Sequence, residues 1–211
     1  MLQSAHRRRT VMARPAKVED SVLHTKLSDV FREVGYEGAT LAMLSAATGL
    51  KKASLYHRFP GGKEQMASEV MAGAETWLIE HILTPLGSKA TPAARIATMI
   101  RNLDTFYCGG KKACLLNMLS SPSADRGPFA NMIKNAFEVW IGALSRALVD
   151  AEFDRDTAHF RAERAIALLQ GSLVVARGMA TTTPFQNCLA SLEHELLAPP
   201  PSLPSAVATH V

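Results

Sequence analysis

Residues 40–66 read TLAMLSAATGLKKASLYHRFPGGKEQM and predict two short helices joined by a glycine turn. Thr40 has the side chain of a good helix N-cap, so we expect the first helix over residues 41–48. Gly49 ends this helix, and the second is expected over residues 51–58. The spacing is that of a helix-turn-helix motif, in which the second helix presents its N-terminal residues to the major groove of DNA.

The side chains of the second helix fit that interpretation. Lys51, Lys52 and Ser54 stand at its start, where base edges are read. Tyr56 and His57 follow one turn later and are residue types that contact phosphates. The alternative is an ordinary helical hairpin with a solvated basic face.

Positive charge is concentrated in the first third of the chain. The first 65 of the 211 residues contain eleven Lys or Arg and six Asp or Glu, whereas the remainder contains twelve and thirteen. This asymmetry favours contact between the N-terminal part and a polyanion. A solvated basic surface would explain the charge equally well.

The other segments also show helical spacing of apolar residues, and strictly alternating β-branched runs are absent. We therefore predict an all-α protein of about nine helices. No apolar run approaches the roughly 20 residues that a membrane-spanning helix needs, so we expect no membrane partner. The predicted helices cover residues 17–33, 41–48, 51–58, 63–85, 92–108, 113–119, 129–148, 157–180 and 185–197.

Catalytic and metal-binding patterns are missing from the sequence. No phosphate loop, dinucleotide fingerprint, serine-hydrolase elbow or zinc motif is present, so we expect no enzyme activity, no cofactor and no metal. Residues 109–112 (GGKK) lack the strand that precedes a phosphate loop and predict a helix break. The acidic residues between 150 and 156 predict a solvated turn with a helix cap. Cys108 and Cys114 are expected to be small core residues rather than a redox switch.

The stretch S-L-Y-H-R-F-P-G-G-K-E, residues 54–64, completes a basic three-helix head. This head resembles the tetracycline-repressor (TetR/AcrR) family of transcriptional regulators, and its P-G-G-K-E loop is similar to an LmrA/YxaF-like branch. The resemblance is strong over about residues 17–66. Beyond them it rests on helix count, length and the phrase QGSLVVARGMATTTPF. The matching residues in the head are Phe31, Gly35, Gly38, Thr40, Ala46, Gly49, Leu55, Tyr56, Phe59, Lys63 and Glu64.

The resemblance implies a homodimer whose two heads enter successive major grooves of a palindromic operator. Thr40, Tyr56 and Lys63 match family positions that contact phosphates. Lys51, Lys52 and Ser54 match positions that face the bases, and His57 is adjacent to them. Lys51 departs from the usual Ser or Thr, so the second helix should lack its usual side-chain cap.

The charge distribution and the resemblance together divide the chain into four parts. Residues 1–16 are expected to form a flexible basic arm, residues 17–65 a helix-turn-helix DNA-binding domain, and residues 66–197 a ligand-binding and dimerisation domain. Residues 198–211 are expected to form a Pro-rich disordered tail. From the three cysteines and the missing export signal we expect a reducing compartment, and the resemblance implies the bacterial cytosol and nucleoid.

Large side chains on the central helices are candidates for a ligand pocket. Such pockets are mostly apolar with a few polar anchors, for which Tyr107, Asn117 and Gln170 are available. Plain core packing is the alternative for each candidate. The predicted pocket residues are Trp77, Phe106, Tyr107, Asn117, Met118, Phe137, Trp140 and Gln170.

The last two predicted helices carry small residues beside apolar ones. Glycine inside a helix costs about 1 kcal/mol relative to alanine, so Gly171 and Gly178 indicate the close approach of another helix. The resemblance implies that this approach is the dimer seam, and packing within one chain is the alternative. The predicted interface residues are Gly171, Val174, Gly178, Leu189, Leu192 and Leu196.

Together these features predict a homodimeric, DNA-binding transcriptional repressor that an unidentified small apolar inducer releases from a palindromic operator. Two alternatives from other classes are a helical binding protein that lacks an inducer and an all-α enzyme whose site the sequence does not reveal. A constitutive DNA binder is the third.

Overall fold

The computed structural model describes residues 20–120 and 127–199, and within these ranges the fold consists of nine α-helices without a strand. The predicted all-α class is therefore confirmed. The predicted arm (1–16), the first residues of the first predicted helix and the tail from residue 200 lie outside the described ranges. The helices are α1 (Asp20–Gly38), α2 (Leu41–Thr48), α3 (Lys52–Arg58), α4 (Gly62–Leu78), α5 (Pro92–Phe106), α6 (Leu115–Leu119), α7 (Ala130–Val149), α8 (Arg155–Gly178) and α9 (Thr183–Leu197).

The fourth helix continues beyond its regular part. A π-helical turn, Ile79–Leu83, and a short helical turn, Thr84–Leu86, follow Leu78 with helical backbone angles. The single helix predicted over residues 63–85 is thus confirmed in extent.

Side-chain caps set three of the helix starts. Thr40, Thr91 and Asp154 each accept a hydrogen bond from the backbone N–H three residues later, at 3.2, 3.3 and 2.9 Å. Each bond satisfies a backbone donor that has no partner inside the helix. The predicted starts at Thr40 and Thr91 and the predicted cap within the acidic cluster are confirmed.

Two glycines with left-handed backbone angles lie close to the helix ends that the sequence predicted. Gly35 (φ 73°) interrupts α1, and a Cβ there would lie 3.1 Å from the carbonyl oxygen of Met118. Gly110 (φ 92°) follows α5, and a Cβ there would lie 2.9 Å from the Phe185 side chain. Both positions therefore combine a backbone angle that favours glycine with a close neighbour.

The core residues form two clusters, which we call the head core and the body core. The head core joins α1, α2 and α3 to the first half of α4, to Leu115 and Leu119 of α6, and to Phe129. The body core contains the end of α4 with α5 and α7–α9, and α8 packs along both α7 and α9. The helix α4, the short helix α6 and the start of α7 therefore pack against both cores.

The expectation that both Cys108 and Cys114 are core residues was wrong for one of them. Cys114 is buried, but Cys108 is exposed and has a positive φ of 49°. The reason is that α5 ends at Phe106, two residues earlier than predicted, so Cys108 lies in the turn that follows the helix.

No helix of the described ranges is long and apolar enough to cross a membrane.

Candidate nucleic-acid interface and ligand cavity

The apolar side of α3 fixes this helix against the rest of the head. Leu55 and Phe59 have no exposed surface, and neither has Leu44 of α2. The hydroxyl of Thr48, also buried, donates to the Leu44 carbonyl at 2.7 Å, which satisfies its polar group. This packing leaves the opposite side of α3 in solvent.

The predicted DNA-contacting residues of α3 and the N-cap residues Thr40 and Lys51 are all exposed to solvent. Tyr56 is 48% exposed, and the others are likewise exposed. Lys51 occupies the N-cap position without a side-chain cap bond, as the sequence predicted. We call these six exposed residues the exposed basic surface: Thr40, Lys51, Lys52, Ser54, Tyr56 and His57.

Lys63 differs from these residues because its side chain is half-buried. Its Nζ donates a hydrogen bond to the carbonyl of Tyr36 at 2.8 Å and lies 4.4 Å from the centre of the Tyr36 ring. The lysine therefore connects the start of α4 with the end of α1. An ammonium has three N–H donors, so this bond leaves capacity for a phosphate at the same place.

A chain of hydrogen bonds supports the turn between α3 and α4. The Gly61 N–H donates to Gln65 Oε1 at 2.8 Å, Gln65 Nε2 donates to Glu69 at 2.9 Å, and Glu69 pairs with His24 at 2.9 Å. Partial burial raises the pKa of Glu69, but the bonds from Gln65 and His24 outweigh it and leave the pKa below its usual value. The chain links the turn next to the exposed basic surface to α1.

An apolar cavity lies where α4, α5, α6 and α7 meet. It has a volume of about 50 Å³, well below the roughly 300–1,000 Å³ of typical ligand pockets. The helices must therefore separate before an organic molecule of ordinary size fits. The lining residues are Met71, Ala74, Glu75, Trp77, Leu78, Leu103, Phe106, Tyr107, Cys114, Leu115, Leu116, Met132, Ala136 and Trp140.

Four of the eight predicted pocket residues line this cavity: Trp77, Phe106, Tyr107 and Trp140. Asn117, Met118 and Gln170 instead lie in a separate crevice beside Arg177, and Phe137 packs against the body core without lining the cavity. The methionine and alanine residues of the lining were missed because core helices carry the same residue types.

Polar atoms without partners mark both the cavity and the crevice. The indole N–H of Trp140 and both polar atoms of the Gln170 amide are buried, and no group within the described ranges hydrogen-bonds them. Such atoms cost free energy that a bound acceptor or donor would recover. Burial also raises the pKa of Tyr107 well above its ordinary value, so its hydroxyl stays protonated.

Arg32 connects the head to the body and was not predicted as a functional residue. Its side chain is only 8% exposed, its Nη1 donates to the Ala113 carbonyl, and its guanidinium carbon lies 4.7 Å from the centre of the Phe106 ring. Beside it, Lys112 forms an ion pair of 2.8 Å with Asp29. The sequence feature that could have indicated a role for Arg32 is its position directly after Phe31, within the apolar stripe of α1.

The predicted dimer residues separate into two groups. Leu189, Leu192 and Leu196 are at most 7% exposed and pack within the body core. By contrast, Val174 is 43% exposed, and a Cβ at Gly171 or Gly178 would meet nothing within 4 Å. Packing within one chain therefore accounts for the three leucines, which are not free to form a dimer interface. It does not account for the two glycines, which no side chain of the described residues approaches.

No metal centre is formed by the side chains of residues 20–120 and 127–199, among which no three His, Cys, Asp or Glu gather. The chemistry of this site is therefore that of an exposed basic surface and an apolar cavity.

Two family descriptions match the sequence. Residues 28–70 match "Bacterial regulatory proteins, tetR family", and residues 92–191 match "Transcriptional regulator LmrA/YxaF-like, C-terminal domain". Among curated relatives, the uncharacterized HTH-type transcriptional regulator YxaF of Bacillus subtilis is 24% identical over 78% of this chain and 87% of its own. The HTH-type transcriptional regulator LmrA of the same species is 24% identical over 77% of this chain and 90% of its own.

Solved structures share the fold. A TetR transcriptional regulator from Legionella pneumophila has a TM-score of 0.72 and 20% identity, over 87% of this chain and all of its own. Another is a cysteine mutant of the TetR family regulator CifR, solved in complex with 26-bp double-strand operator DNA. It has a TM-score of 0.65 and 22% identity, over 89% of this chain and all of its own.

Proposed function

The chain belongs to the TetR family of bacterial transcriptional regulators, and on that premise we propose that it represses transcription by binding a palindromic operator through α3. The observation that carries this proposal is the exposure of the polar side chains of α3 and its N-cap, which are two lysines, a serine, a tyrosine and a histidine, around the fully buried Leu55. The operator complex of CifR supports the same use of the fold.

Within the operator complex each residue has a proposed role. Lys52 and Ser54 read base edges from the first turn of α3, with Lys51 beside them. Thr40 and Tyr56 hold phosphates on either side, and Lys63 adds a third phosphate contact from the start of α4. His57 borders this surface. In the proposed division, residues 17–65 bind DNA and residues 66–197 regulate that binding.

We propose further that two chains associate through α8. The outward-facing glycines Gly171 and Gly178 allow a second backbone to approach, and Val174 and Val175, 43% and 48% exposed, supply apolar surface beside them. A two-fold interface buries the same patch on both chains. Two heads held in this way can enter successive major grooves, about 34 Å apart.

The regulatory ligand in this proposal is a small, largely apolar molecule in the cavity beside Trp77 and Trp140. The Trp140 N–H, which has no acceptor among the described residues, offers it a hydrogen bond. The cavity is lined by Leu115 of α6, which also belongs to the head core. A ligand that separates these helices therefore favours a conformation in which the head is displaced.

The test of DNA binding is selection of duplexes from a random pool by the purified protein, followed by fluorescence anisotropy over a salt series. We expect a palindromic site whose affinity falls steeply with salt, because neutralised phosphates release counterions. Lys52→Ala should lose most of this affinity. Lys134→Ala, which removes an exposed lysine on α7, is the matched control and should retain it. Absence of any selected site would refute the proposal.

A constitutive DNA binder is a second candidate, because the cavity of about 50 Å³ is closed to most organic molecules. A screen that follows tryptophan fluorescence and operator release together separates the two. Compounds that bind without ever changing operator affinity favour the constitutive function.

A further inference from the structure

A second cleft lies outside the apolar cavity, between α1, α4 and the connection from α5 to α6. It has a volume of about 280 Å³. Trp77 and Phe106 separate it from the cavity, since both rings line both spaces and stack with their centres 3.9 Å apart. The cleft therefore has one aromatic wall that it shares with the proposed ligand cavity.

The part of the lining beside this aromatic pair carries Arg32, whose guanidinium carbon lies 4.7 Å from the centre of the Phe106 ring and whose N–H donors are incompletely used by the protein. Nε donates to Ser28 Oγ at 3.3 Å, and Nη1 donates to the Ala113 carbonyl. A guanidinium has five N–H donors, so three have no protein acceptor within the described ranges. Arg32 lines the cleft and is only 8% exposed as a residue, so its unused donors are available to a ligand held there.

The charges around the cleft select the kind of anion that it can hold. Arg32 and Lys112 contribute two positive charges and Asp29 one negative charge. His24, the remaining titratable group on the lining, hydrogen-bonds Glu69 on α4. A ligand with one negative charge neutralises the net positive charge of these three side chains, whereas a dianionic phosphate would leave a net negative charge in the cleft. A carboxylate also matches the planar fork of arginine.

The floor of the cleft leaves room for an apolar group next to that anion. Gly73 of α4 lies on the lining, and a Cβ there would meet nothing within 4 Å. The Trp77 and Phe106 rings adjoin this space. The cleft thus joins a cationic end to an aromatic wall, as recognition of an amphipathic acid requires.

We propose that this cleft binds the carboxylate of an organic acid whose apolar part lies against the Trp77–Phe106 pair, and that binding there releases DNA. The proposal rests on the proposed function only in this last step. A carboxylate on the unused donors of Arg32 and on Lys112 shares their positive charge with the Ala113 carbonyl and with Asp29, and thereby weakens both of these contacts. These two contacts are polar links from α1 to the body, so a bound acid loosens the head.

The binding test uses phenyl-alkyl carboxylates and straight-chain carboxylates of six to twelve carbons, each compared with its neutral primary amide by calorimetry and tryptophan fluorescence. We expect at least one acid to bind about tenfold or more tightly than its amide, as loss of a charge-assisted hydrogen bond implies. Failure of the whole panel to bind at millimolar concentration overturns the site.

Three variants locate the binding. Arg32→Gln should weaken the acid about tenfold or more and leave the amide unchanged, whereas Arg101→Gln, on the exposed side of α5, should change neither. Gly73→Leu fills the cleft without removing a link between head and body, so it should abolish acid binding in a folded protein. Equal affinity of the acid for the wild type and Gly73→Leu overturns the proposal.

The regulatory step has a separate readout. The acid should release a selected operator duplex from the wild type but not from Gly73→Leu, and acid binding without release overturns this step. A protein that binds the acid through Arg32 but binds no DNA refutes the proposed function and leaves the site standing. A protein that binds DNA but no acid overturns the proposed acid site and leaves the proposed function standing.

Discussion

The guanidinium of Arg32 lies over the ring of Phe106, with 4.7 Å between the guanidinium carbon and the ring centre. Arg32 belongs to the first helix of the head, and Phe106 is the last residue of α5 in the body. Phe106 in turn stacks on Trp77 of α4. The orientation of the head therefore depends on aromatic packing at the edge of the cavity as well as on the continuous helix α4.

Substitutions on the exposed basic surface and at Lys63 should distinguish the residues that contact DNA phosphates from the residues that recognise the base sequence. Tyr56→Phe and Lys63→Ala are expected to weaken binding to all duplexes alike, because phosphates carry no sequence information. Lys63→Ala should also lower the salt slope by about 0.9 for each phosphate that the lysine neutralises in the wild type. Ser54→Ala should instead change which bases are preferred. Anisotropy on a set of single-base operator variants measures both effects, and an unchanged affinity after Lys63→Ala would contradict its phosphate role.

A charge on the exposed face of α8 should dissociate the dimer. Val174→Glu is expected to convert a species of twice 22.8 kDa into one of 22.8 kDa in light scattering, because a carboxylate buried between two chains has no partner. Operator affinity should fall with it. Val139→Glu, at a 38% exposed valine on α7, is the control and should leave the mass unchanged. A wild-type protein that is monomeric at micromolar concentration would contradict the interface.

Two glycine-to-alanine substitutions should have opposite effects on stability. At Gly110, φ is 92° and a Cβ would lie 2.9 Å from Phe185, so alanine should destabilise the protein by about 1–3 kcal/mol. At Gly73, inside α4 with open space around it, alanine should stabilise by up to about 1 kcal/mol. Urea unfolding of both variants measures the difference, and equal midpoints would contradict the assignment of strain at Gly110.

Removal of the cap at Thr91 should destabilise α5. Thr91→Ala leaves the Ala94 N–H without its 3.3 Å acceptor, for an expected loss of about 1 kcal/mol. Thr76→Ala is the control, since that threonine lies within α4 and bonds only a carbonyl of its own helix. A loss at Thr76 as large as that at Thr91 would show that capping is not the cause.

The pair of Glu69 and His24 should make stability depend on acid pH. Since the pKa of Glu69 is lowered in the folded protein, its contribution is present above the ordinary value of 4.5 and is lost as pH falls through the lower folded value. Glu69→Gln should therefore reduce the loss of stability as the pH falls below the ordinary carboxyl value of 4.5. Denaturation midpoints across this range test the prediction. An unchanged pH profile would exclude the pair as its source.

The sequence was sufficient for the parts of this protein that depend on neighbouring residues. Thr40, Thr91 and Gly49 act through backbone groups a few positions away, so helix starts and ends could be predicted from residue type and spacing. The exposed side of α3 followed from the same periodicity. Local chemistry decides these features before the chain is folded.

Tertiary structure alone decided which distant side chains meet. Trp77, Phe106, Tyr107 and Trp140 share a cavity while Phe137 does not, although all five lie on helices with similar apolar spacing. Helix periodicity specifies which side of a helix is buried, but not which other helix covers it. For the same reason Arg32 and Ala113, 81 positions apart, could be identified as partners only once α6 was packed against α1.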